Sequence, residues 1–313
     1  MAQTRKAPLF QTTRNACYCV GVGPRVNDGD VADRIQAAVL RRIESDDLVL
    51  PTMPVVVSKC LGLLDNPDLA LRDVAQVIET DPLIAARIVR LANVASRAPT
   101  APIRSITDCV TRLGAAELQV FLIESAARQM FESTDRHIAQ LCRGLWSHSL
   151  AVAILTRDLI RGARSGRADE GYLAGLLHDI GKPVVATMLL DSEKRLRGTQ
   201  TRNWIMPAAW LRIISGSHRR IGVALAQKWA LPEAVRNSIR DGGNYEPGEP
   251  HALANAVRLA NGITKIEGIY VGAMDEGETV TNVSTGRSLF GVYDDQLKYL
   301  TTYLKERVNE RLA

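Results

Sequence analysis

The feature that most narrows the folds open to this chain is its punctuation. Apolar residues recur at helical spacing in many short segments, each opened by a capping residue and closed by Gly, Pro or Asp. Asp81-Pro82 is the sharpest case, since Asp caps a helix and Pro fits its first turn; it opens a helix through Ile84, Ile88, Val89 and Leu91. Ser105 caps a second helix through Ile106, Cys109, Val110 and Leu113, which Gly114 stops, and the stretch 115–130 is apolar on most sides and therefore buried. Pro51 and Pro54 precede a helix over 55–64, and Val74, Val77 and Ile78 give an inward face to 71–79. Longer helices are predicted over about 136–163, 168–178, 182–190, 207–214, 217–229, 232–240 and 250–265. Aromatics make up only 5% of 313 residues, the wrong balance for a sandwich or barrel. The fold class expected is all-α.

The two ends read differently. Residues 1–28 look like an extension, with Val20-Gly21-Val22-Gly23-Pro24 as a short extended piece, and Asp30 can cap a helix through Val31, Ile35, Val39 and Ile43. Residues 268–291 carry five glycines and the acidic pair Asp275-Glu276 without a helical period, so a long loop or small ribbon is expected, the least regular part of the body. Asp294-Asp295 then open a last helix with Leu297, Leu300, Leu304, Val308 and Leu312 on one stripe. The organisation expected is an extension over 1–45, a small helical bundle over 46–135, a second helical subdomain over 136–267, and an irregular loop plus helix over 268–313. Strand content is expected to be minor and confined to the two ends.

A net charge of +5 permits anionic ligands without demanding nucleic acid. Lys and Arg thicken between Arg157 and Arg220, twelve against six Asp and Glu, including Arg161, Arg164 and Arg167, and Lys194, Arg195 and Arg197. No aromatics interleave with them as single-strand binding would require, so a solvated surface is expected and a nucleic acid is not the expected partner. The five cysteines, Cys17, Cys19, Cys60, Cys109 and Cys142, lack a zinc or disulfide pattern and read as free thiols. No run approaches the roughly 18 uninterrupted apolar residues of a membrane span, and no signal-peptide run follows the start. A cytoplasmic protein without a membrane partner is expected.

Chemistry concentrates in Gly175-Leu176-Leu177-His178-Asp179-Ile180-Gly181-Lys182. An adjacent His and Asp after an apolar helix can offer an imidazole and a hard carboxylate to one divalent metal. His148, thirty residues upstream inside a helix, can supply a third ligand, and His218 can join from another helix. The alternative is a retained polar cluster that satisfies itself through hydrogen bonds, with His218 structural and Lys182 a helix-start lysine in solvent.

With these flanks, the chain resembles the HD superfamily of metal-dependent phosphohydrolases, helical proteins in which one His, a His-Asp pair and a later Asp bind metal. The first three positions match as His148, His178 and Asp179; the last falls on Asn261, a neutral amide and a poorer ligand. Leu50-Pro51-Thr52-Met53-Pro54, the stretch from Asp81 to Asn93, Ile106 to Gly114, and the run from Gly216 through Trp229-Ala230-Leu231-Pro232 refine this. Over about 46–265 they are similar to the HDOD family, the HD-related output domain of bacterial signalling proteins. Many members carry a His-His pair where this chain has Arg240-Asp241-Gly242-Gly243. The second-metal ligands that the related cyclic-di-GMP phosphodiesterases place in that region are therefore missing, and so is their Gly-Tyr-Pro motif.

The resemblance implies a small N-terminal bundle packed on an HD-like helical domain. It also implies a non-enzymatic regulatory module acting through contacts with other signalling proteins, with a degenerate metal site formed by His148, His178, Asp179 and, weakly, Asn261. Two other functions remain open: a metal-dependent phosphohydrolase acting on a nucleotide, with Asp179, Lys182 and His218 in the active site, and a nucleotide-binding sensor without turnover. The only cofactor implied is one divalent metal ion; a homodimer is compatible with each reading.

Overall fold

The structure, a computed structural model, describes residues 50–66, 70–94, 103–197 and 207–312, with the single residues 37 and 41. The extension and helix expected over 1–45, with Cys17 and Cys19, lie outside the described residues. Helices α1 (Val55–Leu64), α2 (Leu71–Glu79) and α3 (Pro82–Val94) pack around α4 (Ile106–Met130). The Asp81 carboxylate accepts from the amides of Leu83 and Ile84, and the Ser105 hydroxyl from that of Asp108, so both predicted caps are formed. Gly114 sits at φ 73°, ψ 172°, a conformation that favours glycine, and kinks α4 where the sequence places a stop.

Helix α5 (Arg136–Gly162) is the central strut. Against it pack α6 (Ala168–Leu177), α10 (Leu253–Ile266) and α13 (Leu304–Leu312). Helix α7 (Gly181–Arg197) pairs with α8 (Pro207–Lys228), and α9 (Glu233–Asp241) bridges α8 to α6. At Gly175 the α5–α6 crossing is too close for a side chain, since a Cβ there would lie 2.7 Å from Ala153 Cα and 2.8 Å from Thr156 Oγ1. One hydrophobic cluster runs from Leu50 to Val308. The two halves are also clasped directly: Lys228 Nζ donates to the Leu50 carbonyl (2.7 Å) and Trp229 Nε1 to that of Pro51 (3.2 Å).

Four expectations need correction. Residues 276–290 are a helix, α11 (Glu276–Phe290), rather than a loop or ribbon. Asp275 caps it by accepting from Glu278 N, and the hydroxyls of Thr279, Thr281, Thr285 and Ser288 bond back to carbonyls four residues earlier. The last helix is two, α12 (Asp294–Thr302) and α13, broken at Tyr303. The segment 207–228 is continuous through Gly216, where two helices were expected. No strand occurs among the described residues, so the strand content expected in the C-terminal part is absent there.

By length and mean hydropathy two stretches, Ile138–Gly162 and Ala168–Arg195, reach what a bilayer span needs, at 1.2 and 1.3. Their most apolar windows are 67% and 83% buried in the protein's own core, which accounts for their composition. Cys60, Cys109 and Cys142 are free and buried, and burial pushes the thiols of Cys60 and Cys142 up to about 11.

Candidate functional site

Helix α6 ends at Leu177, and the turn His178-Asp179-Ile180 leads directly into α7. This turn projects the His178 and Asp179 side chains between α5, which carries His148, and α8, which carries His218. Gly181 permits that approach: a Cβ there would overlap the His218 carbonyl oxygen and lie 2.8 Å from Gly222 N. Gly181→Ala is therefore expected to push α8 away from Asp179 at a cost of about 1–3 kcal/mol. Urea denaturation of the variant measures this, and wild-type stability would disprove the tight approach.

All three imidazoles are fixed in the same way. Nδ1 of His148 lies 2.7 Å from the Ile269 carbonyl, Nδ1 of His178 lies 2.7 Å from that of Gly175, and Nδ1 of His218 lies 2.8 Å from that of Ser215. A carbonyl only accepts, so each Nδ1 carries a proton and each Nε2 is turned inward. All three Nε2 atoms face one carboxylate. Asp179 Oδ2 lies 3.2 Å from His178 Nε2 and 3.8 Å from His148 Nε2, and Oδ1 lies 3.4 Å from His218 Nε2. The rings of His148 and His178 sit 5.3 Å apart, so thirty residues of separation close as the sequence predicted.

A carboxylate buried this deeply requires a partner of opposite charge. One is present: Lys182 Nζ lies 2.5 Å from Asp179 Oδ2, its side chain 20% exposed and that of Asp179 only 5%. Lys182 is thus no solvated helix-start lysine. Burial pushes the Asp179 carboxyl up, but His178, Lys182 and His218 together outweigh this and hold it well below the usual carboxylate range. Burial, then His178 and Lys182, lower His148 to about 3 against the pull of Asp179. Burial likewise lowers His218 to about 4, with Lys182 and Arg219 adding to it. Both imidazoles are neutral at pH 7.

A divalent metal also fits these donors. Ligand atoms of His148, His178 and Asp179 lie within 4.8 Å of one another, and His178 Nε2 is buried with no hydrogen-bond partner among the described residues. Nδ1–H bonded to a backbone carbonyl with Nε2 left free is the arrangement that orients metal-ligating histidines. Asn261 lies one turn before Lys265 on α10, and Lys265 is near enough for Asp179 to act on its charge. The Asn261 Oδ1 is buried and also lacks a hydrogen-bond partner among the described residues. Sequence reasoning missed Lys265 and the Ile269 carbonyl; only the four-residue spacing from Asn261 to Lys265 pointed there.

Within the basic stretch Arg157 pairs with Asp169 (3.0 Å), Arg167 with Glu170 (2.8 Å), and Lys194 with Asp135 (3.9 Å); Arg157 is largely buried rather than solvated, its side chain 14% exposed.

A His-Asp pair at a helix end, joined by a histidine from the central strut of a helical body, defines a helical protein of the HD type. The family model of the HDOD domain matches residues 50–244, and the chain belongs to that family. Among solved structures it is similar to a candidate metal-dependent phosphohydrolase of Shewanella amazonensis SB2B, with 20% identity and a TM-score of 0.68 over 89% of this chain and 99% of that one. It is also similar to an HDOD domain protein of unknown function from Geobacter sulfurreducens, with 24% identity and a TM-score of 0.59 over 90% of this chain and 96% of that one. These likenesses show the shared fold. An uncharacterized protein of Treponema pallidum (strain Nichols) is 29% identical over 233 residues. They make up 73% of this chain and 44% of that relative, so the match spans less than half of the relative's length.

Proposed function

We propose that this chain is a signal-transduction module that acts through contacts with other proteins and turns over no phosphoester. In this reading its HD-type cluster is kept as a buried cation site that locks α5, α6, α7 and α8 together. The observation that carries the reading is the Lys182–Asp179 pair inside a cage of three imidazoles whose side chains are only 4–12% exposed. A carboxylate already neutralised by an ammonium and walled off from solvent is poorly placed to hold a catalytic metal with an open position for substrate. Exposed Tyr293, Tyr299 and Tyr303, on or beside the C-terminal helices, support a role in contacts, since aromatic surface of this kind is enriched at interfaces.

A metal held by His148, His178 and Asp179 would supply Lewis acidity and charge. The chain's own residues would supply the orientation of two imidazoles and a single negative charge. The deciding experiment incubates the metal-loaded protein with nucleoside phosphate esters and cyclic dinucleotides in Mn²⁺, Mg²⁺ or Ni²⁺. No release above the Asp179→Asn background is expected; turnover that Asp179→Asn abolishes would overturn the reading.

The missing second carboxylate has its own test. Asn261→Asp is expected to tighten Mn²⁺ or Mg²⁺ binding by about 1–3 kcal/mol, the range for a charge-assisted contact. Calorimetric titration measures it, and equal affinities would place Asn261 outside the site.

A further inference from the structure

A cavity of about 310 Å³ opens where the N-terminal bundle, the central strut and the last helix meet, away from the histidine cluster. Six guanidinium groups line it: Arg87 and Arg90 from α3, Arg128 from α4, Arg157 from α5, and Arg307 and Arg311 from α13. The acids on the same wall are Glu117, Glu124 and Glu310, so guanidinium groups outnumber carboxylates on the lining itself. We propose that this cavity binds a small organic phosphate of nucleotide size.

The pairing of the arginines shows which guanidinium groups are left without an ion pair. Arg311 reaches Glu124 at 3.1 Å; Arg157 and Arg307 reach Asp169 and Asp158, which lie behind the wall, at 3.0 and 2.6 Å; Arg87 is 3.9 Å from Glu132. Arg90 and Arg128 make no ion pair among the described residues. Burial, and then Arg87 and Arg90, push the Arg128 guanidinium down against the pull of Glu132 and Glu124, the mark of like charges crowded together. An anion between them removes that repulsion, and guanidinium forks match phosphate oxygens two at a time.

Part of the wall is rigid. Tyr172, 1% exposed, donates its hydroxyl to Glu124 at 2.8 Å. Its ring has Arg157 at 4.4 Å and Arg311 at 5.4 Å from its centre, so two of the six cations are held by an aromatic that is itself fixed. Phe121, Leu91 and Ile154 give the cavity an apolar side that inorganic phosphate has no use for, and the volume falls at the lower end for small-molecule sites. A phosphate group against the arginines with a compact organic body against this side fits both halves. The arginines come from α3, α4, α5 and α13, so the ligand would join the bundle to the last helix. The proposal does not depend on whether the histidine cluster holds Lys182 alone or a metal.

Isothermal titration of the full chain in phosphate-free, low-salt buffer tests it, with nucleoside mono- and diphosphates, pyrophosphate and inorganic phosphate as probes. At least one nucleotide is expected to bind saturably and more tightly than pyrophosphate. Arg90→Gln and Arg128→Gln should each weaken it by about tenfold or more, while Arg240→Gln, at an exposed arginine elsewhere, leaves it unchanged. Without ligand, Arg90→Gln should unfold at or above the wild-type temperature, because it removes repulsion and breaks no ion pair. Failure of every probe to bind, binding indifferent to both cavity variants, or pyrophosphate binding as tightly as any nucleotide would overturn the proposal.

Discussion

Metal-free protein is expected to lose roughly 3–4 kcal/mol of stability between pH 6 and pH 4.5. His148 and His218 are lowered to about 3 and about 4 in the folded state, against roughly 6.5 in an unfolded chain. Below pH 6.5 the unfolded state therefore binds more protons than the folded one, and stability falls as pH falls until the folded values are reached. Each imidazole contributes about 1.4 kcal/mol per pH unit, so the pair costs roughly 3–4 kcal/mol across this window, a large share of the 5–15 kcal/mol of a typical domain. Asp179, held low, contributes nothing to the slope here; its own contribution is lost only below about pH 3.9. Urea midpoints measured across the window in chelator report the slope. It should flatten in the double variant His148→Gln, His218→Gln, and an unchanged slope would show that the acid lability arises elsewhere.

Lys182→Met is expected to be the most damaging single change in the cluster. It keeps the length of the side chain and removes the ammonium that touches Asp179, leaving a carboxylate with 5% exposure among three imidazole rings. Breaking a buried pair in this way costs about 3–5 kcal/mol. A metal ion can take the vacated role, and imidazole-rich donors favour Zn²⁺ or Ni²⁺. Added metal should thus raise the thermal midpoint of Lys182→Met more than that of the wild type, by mass action on the folded state. Wild-type stability in chelator, or no response to metal, would show that Lys182 is not the counter-ion of the cage.

Much of this was legible in the sequence where local chemistry and tertiary packing agree. Asp81-Pro82 and Ser105 cap their helices as written, and Gly114 kinks α4 where a stop was expected, because a cap or a positive φ is a local requirement that few residue types meet. The meeting of His148 with His178-Asp179 was readable from the resemblance and from the apolar helices around them. Helix α11 was not, because its buried face, Thr279, Val283 and Gly286, is built of small and polar residues. That face fits α10 closely: a Cβ on Gly286 would lie 2.9 Å from Leu259 Cβ. Its helicity comes from packing and from the Asp275 cap, with the hydroxyls merely satisfied by its own carbonyls, and none of this leaves an apolar period. The role of Lys182 was hidden for a related reason, since a lysine at a helix start is ordinarily solvated and only the burial of Asp179 beneath the converging helices makes it a counter-ion.

The clasp between Lys228 and Leu50, and between Trp229 and Pro51, bears on how the molecule folds. Each bond spans 178 residues, while the helices it joins are built from contacts within a few turns. Closing so large a loop is entropically costly, and topology of this kind slows the final ordering step. The local helices can form early, and the chain must then wait for its two distant segments to find each other before Trp229 is covered. Fluorescence from Trp229, read in a variant whose other three tryptophans are replaced by Phe, should accordingly mature after far-ultraviolet ellipticity during refolding.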